Sequence, residues 1–278
     1  MKFPFTTRKK LDRAQDALAK KEARFAQLQT RVDALKQEVA EAKAKNRTGF
    51  QTVQTGAVDA RRLIATGLHG EGIEIGALHY PLRVPEGVKV RYVDMTTREE
   101  NIRKFPELDA SAIVETDYIC NGETLEVIPD ESQDFVIANH MMEHCINPLA
   151  TLRNFLRVLR PKGKLFISLP DKRHTFDIKR PITPFSHIED DFLKGRTVED
   201  LEVYREWVAN VDNAGHEDPE KLHAQQANIH FHVWTQAEII ELFVEARRRL
   251  GFPIEIEWTA QNGCEHIVLA RKTEPGES

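Results

Sequence analysis

Two short apolar runs constrain this chain more than any other feature. Asp134-Phe135-Val136-Ile137-Ala138-Asn139 and Lys164-Leu165-Phe166-Ile167-Ser168-Leu169 are too short for buried helices. They also lack the alternation of a half-exposed strand. Each therefore reads as a strand covered on both faces. Between them, Asn147 to Leu159 carries its apolar residues at helical spacing and stops at Pro161-Lys162-Gly163. A buried strand, a crossover helix and a second buried strand make a parallel pair, which needs helices above and below it.

The same alternation runs through most of the chain. A short helix over Val58 to Leu68 precedes a strand over Gly72 to Gly76. A second strand, Val88 to Asp94, leads to a helix from Thr97 to Lys104, and a weaker strand covers Ile113 to Cys120. After a long interval, Thr235 to Leu250 is a helix stopped by Gly251. Ile254 to Trp258 and His266 to Ala270 close the series as strands with no helix between them, so an antiparallel addition at one sheet edge is expected. The interval from Asp171 to about Val233 is long for a sheet connection, and a helical cap over the strand ends is expected there.

The first 47 residues differ. They hold 13 Lys and Arg against 6 Asp and Glu, a balance of +7. The other 231 residues hold 26 against 38, a balance of −12, so the net charge of −5 describes neither part. Leu11, Leu18, Phe25, Val32 and Val39 fall seven apart. Ala14, Leu28, Leu35 and Ala42 fill the complementary positions, which Lys21 interrupts. This heptad seam predicts a coiled-coil helix over 1–47, joining two copies as a homodimer. A helix folded onto its own domain or left partly frayed is one alternative, and a basic face that meets anionic lipid or polysaccharide is another. The acidic remainder, 48–278, would repel phosphates, so a nucleic-acid partner is not expected. No run is long and apolar enough for a membrane span. Cys120, Cys145 and Cys264 are far apart and odd in number, and the start lacks an apolar leader. A reducing, cytoplasmic location is the expectation.

In a sheet of this kind, ligands bind beyond the carboxyl ends of the strands, where the strand order switches. The first strand ends in Glu74-Ile75-Gly76-Ala77-Leu78-His79, and Gly76 permits a tight turn with a ligand close to the backbone. About 20 residues on, the second strand ends in Asp94, placed to accept hydrogen bonds from both hydroxyls of a ribose. The glycine-rich phosphate fingerprint is absent, because Leu78 stands where a second glycine would be. That favours a nucleoside cofactor without phosphate.

The run from Asp134 through His140-Met141-Met142-Glu143-His144 to Pro148 resembles class I S-adenosylmethionine-dependent methyltransferases. So does Leu159-Arg160-Pro161-Lys162-Gly163 leading to Pro170. The stretches Gly72 to Pro85 and Pro170 to Asp177 are similar to a bacterial subgroup associated with surface polysaccharides. The resemblance implies an α/β, Rossmann-like, doubly wound and mostly parallel seven-stranded sheet with an antiparallel edge strand. To this the reading adds a helical insert and the N-terminal coiled coil. It also implies S-adenosyl-L-methionine as cofactor. Glu74 and Gly76, with Ala77 and Leu78, would frame its methionine end. Asp94 would hold the ribose with Met95 against the adenine. Asn121 and Gly122 would meet the adenine edge, and Asn139 and His140 would line the pocket.

The implied reaction is methyl transfer to a hydroxyl of a sugar or glycan intermediate. A catalytically degenerate scaffold, recruited by its coiled coil to a polysaccharide assembly complex, is the alternative that the altered glycine loop raises. A neutral histidine can remove a hydroxyl proton near pH 7. His144, His140 and His232 are the candidates, with Asp171 as orienter.

His140 to His144 also has the His-x-x-Glu-His spacing of inverted zinc peptidases. That chemistry needs both histidines on one helix, and His140 ends a buried strand, so no metal ligand is assigned. His223, His230 and His232 cluster farther on. His230 and His232 would share a face if their run is a strand.

Overall fold

The computed structural model describes residues 59–195, 201–211, 217–274 and 276–277, with scattered positions between 20 and 34. The chain divides into two units, Met1–Val58 and Asp59–Ser278. In the first, the described residues between 20 and 34 are helical and exposed, Phe25 among them. Lys21 is described as well, and the remaining heptad positions lie outside the described residues.

The second unit is built on seven strands: β1 (Glu71–Ile75), β2 (Lys89–Asp94), β3 (Tyr118–Ile119), β4 (Gln133–Asn139), β5 (Leu159–Pro170), β6 (Ile254–Asn262) and β7 (Glu265–Lys272). Their order is β3-β2-β1-β4-β5-β7-β6. The pairs from β3 through β5 are parallel, whereas β7 runs antiparallel to both β5 and β6. The closing hairpin thus supplies the antiparallel edge, with β7 one place inside the edge strand β6.

The two apolar runs behave as their composition dictates. Phe135 and Ile137 of β4 enter a cluster with Ile64, Leu68, Phe166 and Leu269. Val136 and Ala138 enter the opposite cluster with Leu152, Phe155, Leu165 and Phe243. This is the two-residue period of a strand with helices on both sides. Gly72 of β1 is needed there, because a Cβ would collide with the carbonyl oxygen and ring of Phe135.

The described residues of this unit form seven helices: α1 (Ala60–Ala65), α2 (Arg98–Lys104), α3 (Pro148–Val158), α4 (Phe185–Lys194), α5 (Leu201–Asn210), α6 (Pro219–Ala224) and α7 (Gln236–Leu250). Thr97 with Glu100 and Thr235 with Glu238 form capping boxes on α2 and α7. Asn147 caps α3 by accepting from Ala150 N at 3.0 Å, and Pro148 takes its first turn. Gly251 ends α7 at φ +68°.

The third strand is shorter than the expected Ile113–Cys120. Val114 N donates to Leu78 O at 2.8 Å, into the loop after β1, so only Tyr118 and Ile119 pair with β2. The connection from β5 to α7 contains α4, α5 and α6. Residues 226–233 carry no strand pairing, and Trp234 makes a single bridge to Asp171. No helix among the described residues is long and apolar enough to cross a membrane.

Candidate active site

The strand order reverses between β1 and β4, so a crevice opens between their carboxyl ends. Ile75 of β1 sits level with Ala138 of β4. This brings the Gly76 turn beside Asn139 and His140. Gly76 has φ +65°, and a Cβ there would meet nothing within 4 Å, so the space beyond the turn is open. Leu78, two residues later, also has a left-handed backbone (φ +49°). Val114 N fastens this position through the Leu78 carbonyl.

Glu74 is buried beneath the turn. Both its carboxylate oxygens accept from Leu82 N at 3.0 Å, and Oε1 also accepts from Asn139 Nδ2 at 3.3 Å. Burial outweighs these bonds and pushes its pKa up to about 7. Asp94, at the end of β2, is half-buried. Its Oδ1 accepts from Thr96 N at 3.2 Å, which holds the carboxylate at the mouth of the crevice. Met95 and Asn121 are exposed beside it. Gly122 is buried so tightly that a Cβ would press on Ile75. An open glycine turn, an acid at the end of β2 and a close-packed glycine after β3 fit an adenosyl cofactor lying across these strand ends.

A polar network closes the other side. Ser168 Oγ donates to Asn139 Oδ1 at 2.9 Å. Arg61 of α1 donates to both oxygens of Glu265 on β7, Nε at 2.7 Å and Nη2 at 2.5 Å. His140 Nε2 also meets Glu265 Oε2 at 2.8 Å. Burial alone would lower the His140 pKa. Its contacts with Glu143 and Glu265 overcome that and raise it to about 9. His140 is therefore a cation at neutral pH, an orienting group rather than a base.

The other base candidates fall in different places. His144 ends a 3-10 turn, Met142–His144. Its Nδ1 donates to Ile229 O at 2.9 Å, and burial lowers its pKa. His232 is 3% exposed and stacks on Trp234, and Nε2 donates to Ile146 O at 3.1 Å. Burial lowers its pKa to about 4, so it is neutral but sealed. Asp171 is fully buried with Arg173 clamped on its carboxylate. It holds that arginine, and no histidine among the described residues hydrogen-bonds to its carboxylate. His230 and His232 diverge: His230 meets His144 edge-on at 4.7 Å, whereas His232 turns to Trp234. His223 packs against Tyr204 in the insert.

Other parts of the site escaped the sequence reading. Glu143 lies at 0% exposure between His140 and His144. Arg61 and Glu265 stand 204 residues apart in the chain. Asp177 and Arg180 fix His230 from the insert. Only Glu143 had a signal, its place in the His-x-x-Glu-His run. That run does not place its two histidines on a common helix. His140 has φ +49° and turns to β7, leaving Glu143 and His144 to meet His230.

The chain belongs to a methyltransferase-domain family, whose model matches residues 48–247. It is an S-adenosylmethionine-dependent methyltransferase. Solved structures with similarity to it include an S-adenosylmethionine-dependent methyltransferase from Aquifex aeolicus. That match has 16% identity and a TM-score of 0.40, covering 73% of this chain and 82% of that one. Another is a protein from Pyrococcus horikoshii, with 16% identity and a TM-score of 0.44 over 75% of this chain and 84% of that one. A third, an S-adenosylmethionine-dependent methyltransferase from Methanosarcina mazei, has 15% identity and a TM-score of 0.39 over 73% and 92%. No curated protein sequence shows a significant match.

Proposed function

We propose that the chain methylates a hydroxyl of a sugar or glycan intermediate. When bound, S-adenosylmethionine would supply an electrophilic methyl carbon: attack by the hydroxyl oxygen would break the carbon–sulfur bond, leaving its electron pair on sulfur, and the hydroxyl proton would pass to water. Asp94 holds the ribose, Met95 and Asn121-Gly122 border the adenine, and Glu74 shapes the Gly76-Ala77-Leu78 turn around the methionine end. Asn139 and the imidazolium of His140 line the wall beside it.

A hydroxyl is a weak nucleophile and must be activated where it meets the methyl. The observation that carries this reading is the Glu143–His144–His230 group, which starts four residues beyond the last residue of β4. The remaining histidine and acid candidates are charged, sealed or clamped. The insert supplies His230 and the Ile229 carbonyl, so it forms the acceptor side of the cleft.

Incubation with methyl-labelled S-adenosylmethionine and a panel of monosaccharides, nucleotide sugars and small amines tests the assignment. Label transfer to sugar hydroxyls is expected. Transfer to amines alone rejects it, and cofactor binding without turnover on any acceptor favours the scaffold reading.

The heptad residues of 1–47 are proposed to pair two copies, and the exposed ring of Phe25 on its helix is consistent with a surface awaiting a partner. Light scattering should give a dimer mass for the full chain that falls on Phe25→Asp. A monomer mass for the unaltered chain excludes pairing. A cytoplasmic location is proposed from three cysteines, Cys120, Cys145 and Cys264, that are all free thiols.

A further inference from the structure

We infer that Glu143, His144 and His230 bind one divalent transition-metal ion. One ligand atom from each lies within 4.8 Å of the other two. Bonds of about 2.1 Å would draw the donors to roughly 3 to 3.5 Å apart, a movement within the reach of side-chain rotation.

The strongest sign is Glu143. It is fully buried, and neither carboxylate oxygen has a hydrogen-bond partner. An ionised carboxylate taken out of water needs a cation or strong donors. Its ion-pair partner among the described residues is His140, whose Nδ1 stands 3.5 Å from Oε1, too long for a good hydrogen bond, so both carboxylate oxygens keep their lone pairs for a further cation. The other nitrogen of His140 is already committed to Glu265.

The two histidines are prepared as ligands. His144 uses Nδ1 on the Ile229 carbonyl at 2.9 Å, and His230 uses Nδ1 on Asp177 Oδ2 at 2.6 Å. Arg180 in turn holds Asp177 Oδ1 at 3.2 Å and the His230 carbonyl at 2.6 Å. Each ring therefore keeps its proton on Nδ1 and offers Nε2. Carbonyl and carboxylate partners of this kind orient metal-binding histidines. The Asn228 side chain is a further polar neighbour of His144.

Two imidazoles and one carboxylate suit zinc, iron, cobalt or manganese, and three protein ligands leave positions free for a substrate oxygen. The role rests on the hydroxyl reading above: a cation here would lower the pKa of an acceptor hydroxyl and let its proton pass to water. Binding of the ion does not depend on that reading.

The test uses the full-length chain, stripped with a chelator and dialysed separately against Zn2+, Co2+ and Mn2+. One ion per chain is expected for at least one metal. Glu143→Gln and His230→Ala should each weaken binding more than tenfold, and Asp177→Asn, which leaves all three donors in place, by less. Circular dichroism and S-adenosylhomocysteine affinity matching the unaltered chain show that the variants fold. Should they fail to fold, pulsed electron paramagnetic resonance of Mn2+ on the unaltered chain should reveal two imidazole nitrogens. No stoichiometric ion, unaltered affinity in folded variants, or absence of imidazole nitrogens overturns the site. An ion bound as expected without sugar methylation upholds the site and rejects only the acceptor.

Discussion

Replacing Asp94 with alanine should weaken S-adenosylmethionine and S-adenosylhomocysteine binding about 100-fold or more. A carboxylate that accepts from two ribose hydroxyls makes two charge-assisted hydrogen bonds, each worth roughly 1.5 to 3 kcal/mol. The sum of the lower values already exceeds the 2.7 kcal/mol or so of two decades in affinity. Thr96 N and the end of β2 already hold the Asp94 carboxylate, so a ribose bound there would have little ordering left to impose. Stability should change little, because the side chain is half-buried at a strand end. Asp94→Asn should fall between the two. Titration calorimetry on folded variants measures the effect, and an Asp94→Ala affinity within threefold of the unaltered chain would remove Asp94 from the ribose site.

The second large effect concerns Glu74 and pH. Its pKa stands at about 7 in the folded chain, against an ordinary value of 4.5. Between these values the folded state holds a proton that the unfolded state has released. The contribution of Glu74 to stability therefore falls as pH rises from about 4.5 to about 7 and is level outside that window. A shift of about 2.5 units corresponds to roughly 3 kcal/mol. Glu74→Gln keeps an acceptor for Leu82 N and cannot ionise. The stability difference between the two chains should therefore move in favour of the variant, by up to about 3 kcal/mol, between pH 5 and pH 8. Urea denaturation at both pH values measures it. A difference that does not change with pH would show that Glu74 ionises at an ordinary pKa within the fold.

How much of this was legible beforehand follows from the range of each interaction. The runs around Phe135 and Phe166 declare themselves because burial on both faces demands apolar residues at every position. The helix ends at Asn147, Thr235 and Gly251 are local chemistry and fell within a residue or two of expectation. The third strand shrank because the Leu78 carbonyl captured Val114, a competition between loops that periodicity does not register. Gly76 and Asp94 were readable as strand-end residues. The histidines were not readable in the same way, because their roles depend on partners brought in by the insert. His140 and His144 share a motif, yet one meets a strand 125 residues later and the other a carbonyl 85 residues later. No spacing rule announces that His230 rather than His232 reaches the site, since the choice depends on how Asp177 and Arg180 fold beneath it.

The position of β7 between β5 and β6 has a consequence for the order in which the protein can be assembled. On the ribosome, β6 emerges before the strand it pairs with, and β5 presents an unpaired edge until residue 265 and beyond have been made. An open edge of buried apolar residues invites pairing with another chain. The same late hairpin carries Glu265, the counter-charge for Arg61 and His140. A nascent chain therefore holds the beginnings of a cofactor crevice before the clamp between Arg61 of α1 and Glu265 of β7 can close, because that clamp must wait until residue 265 has been made.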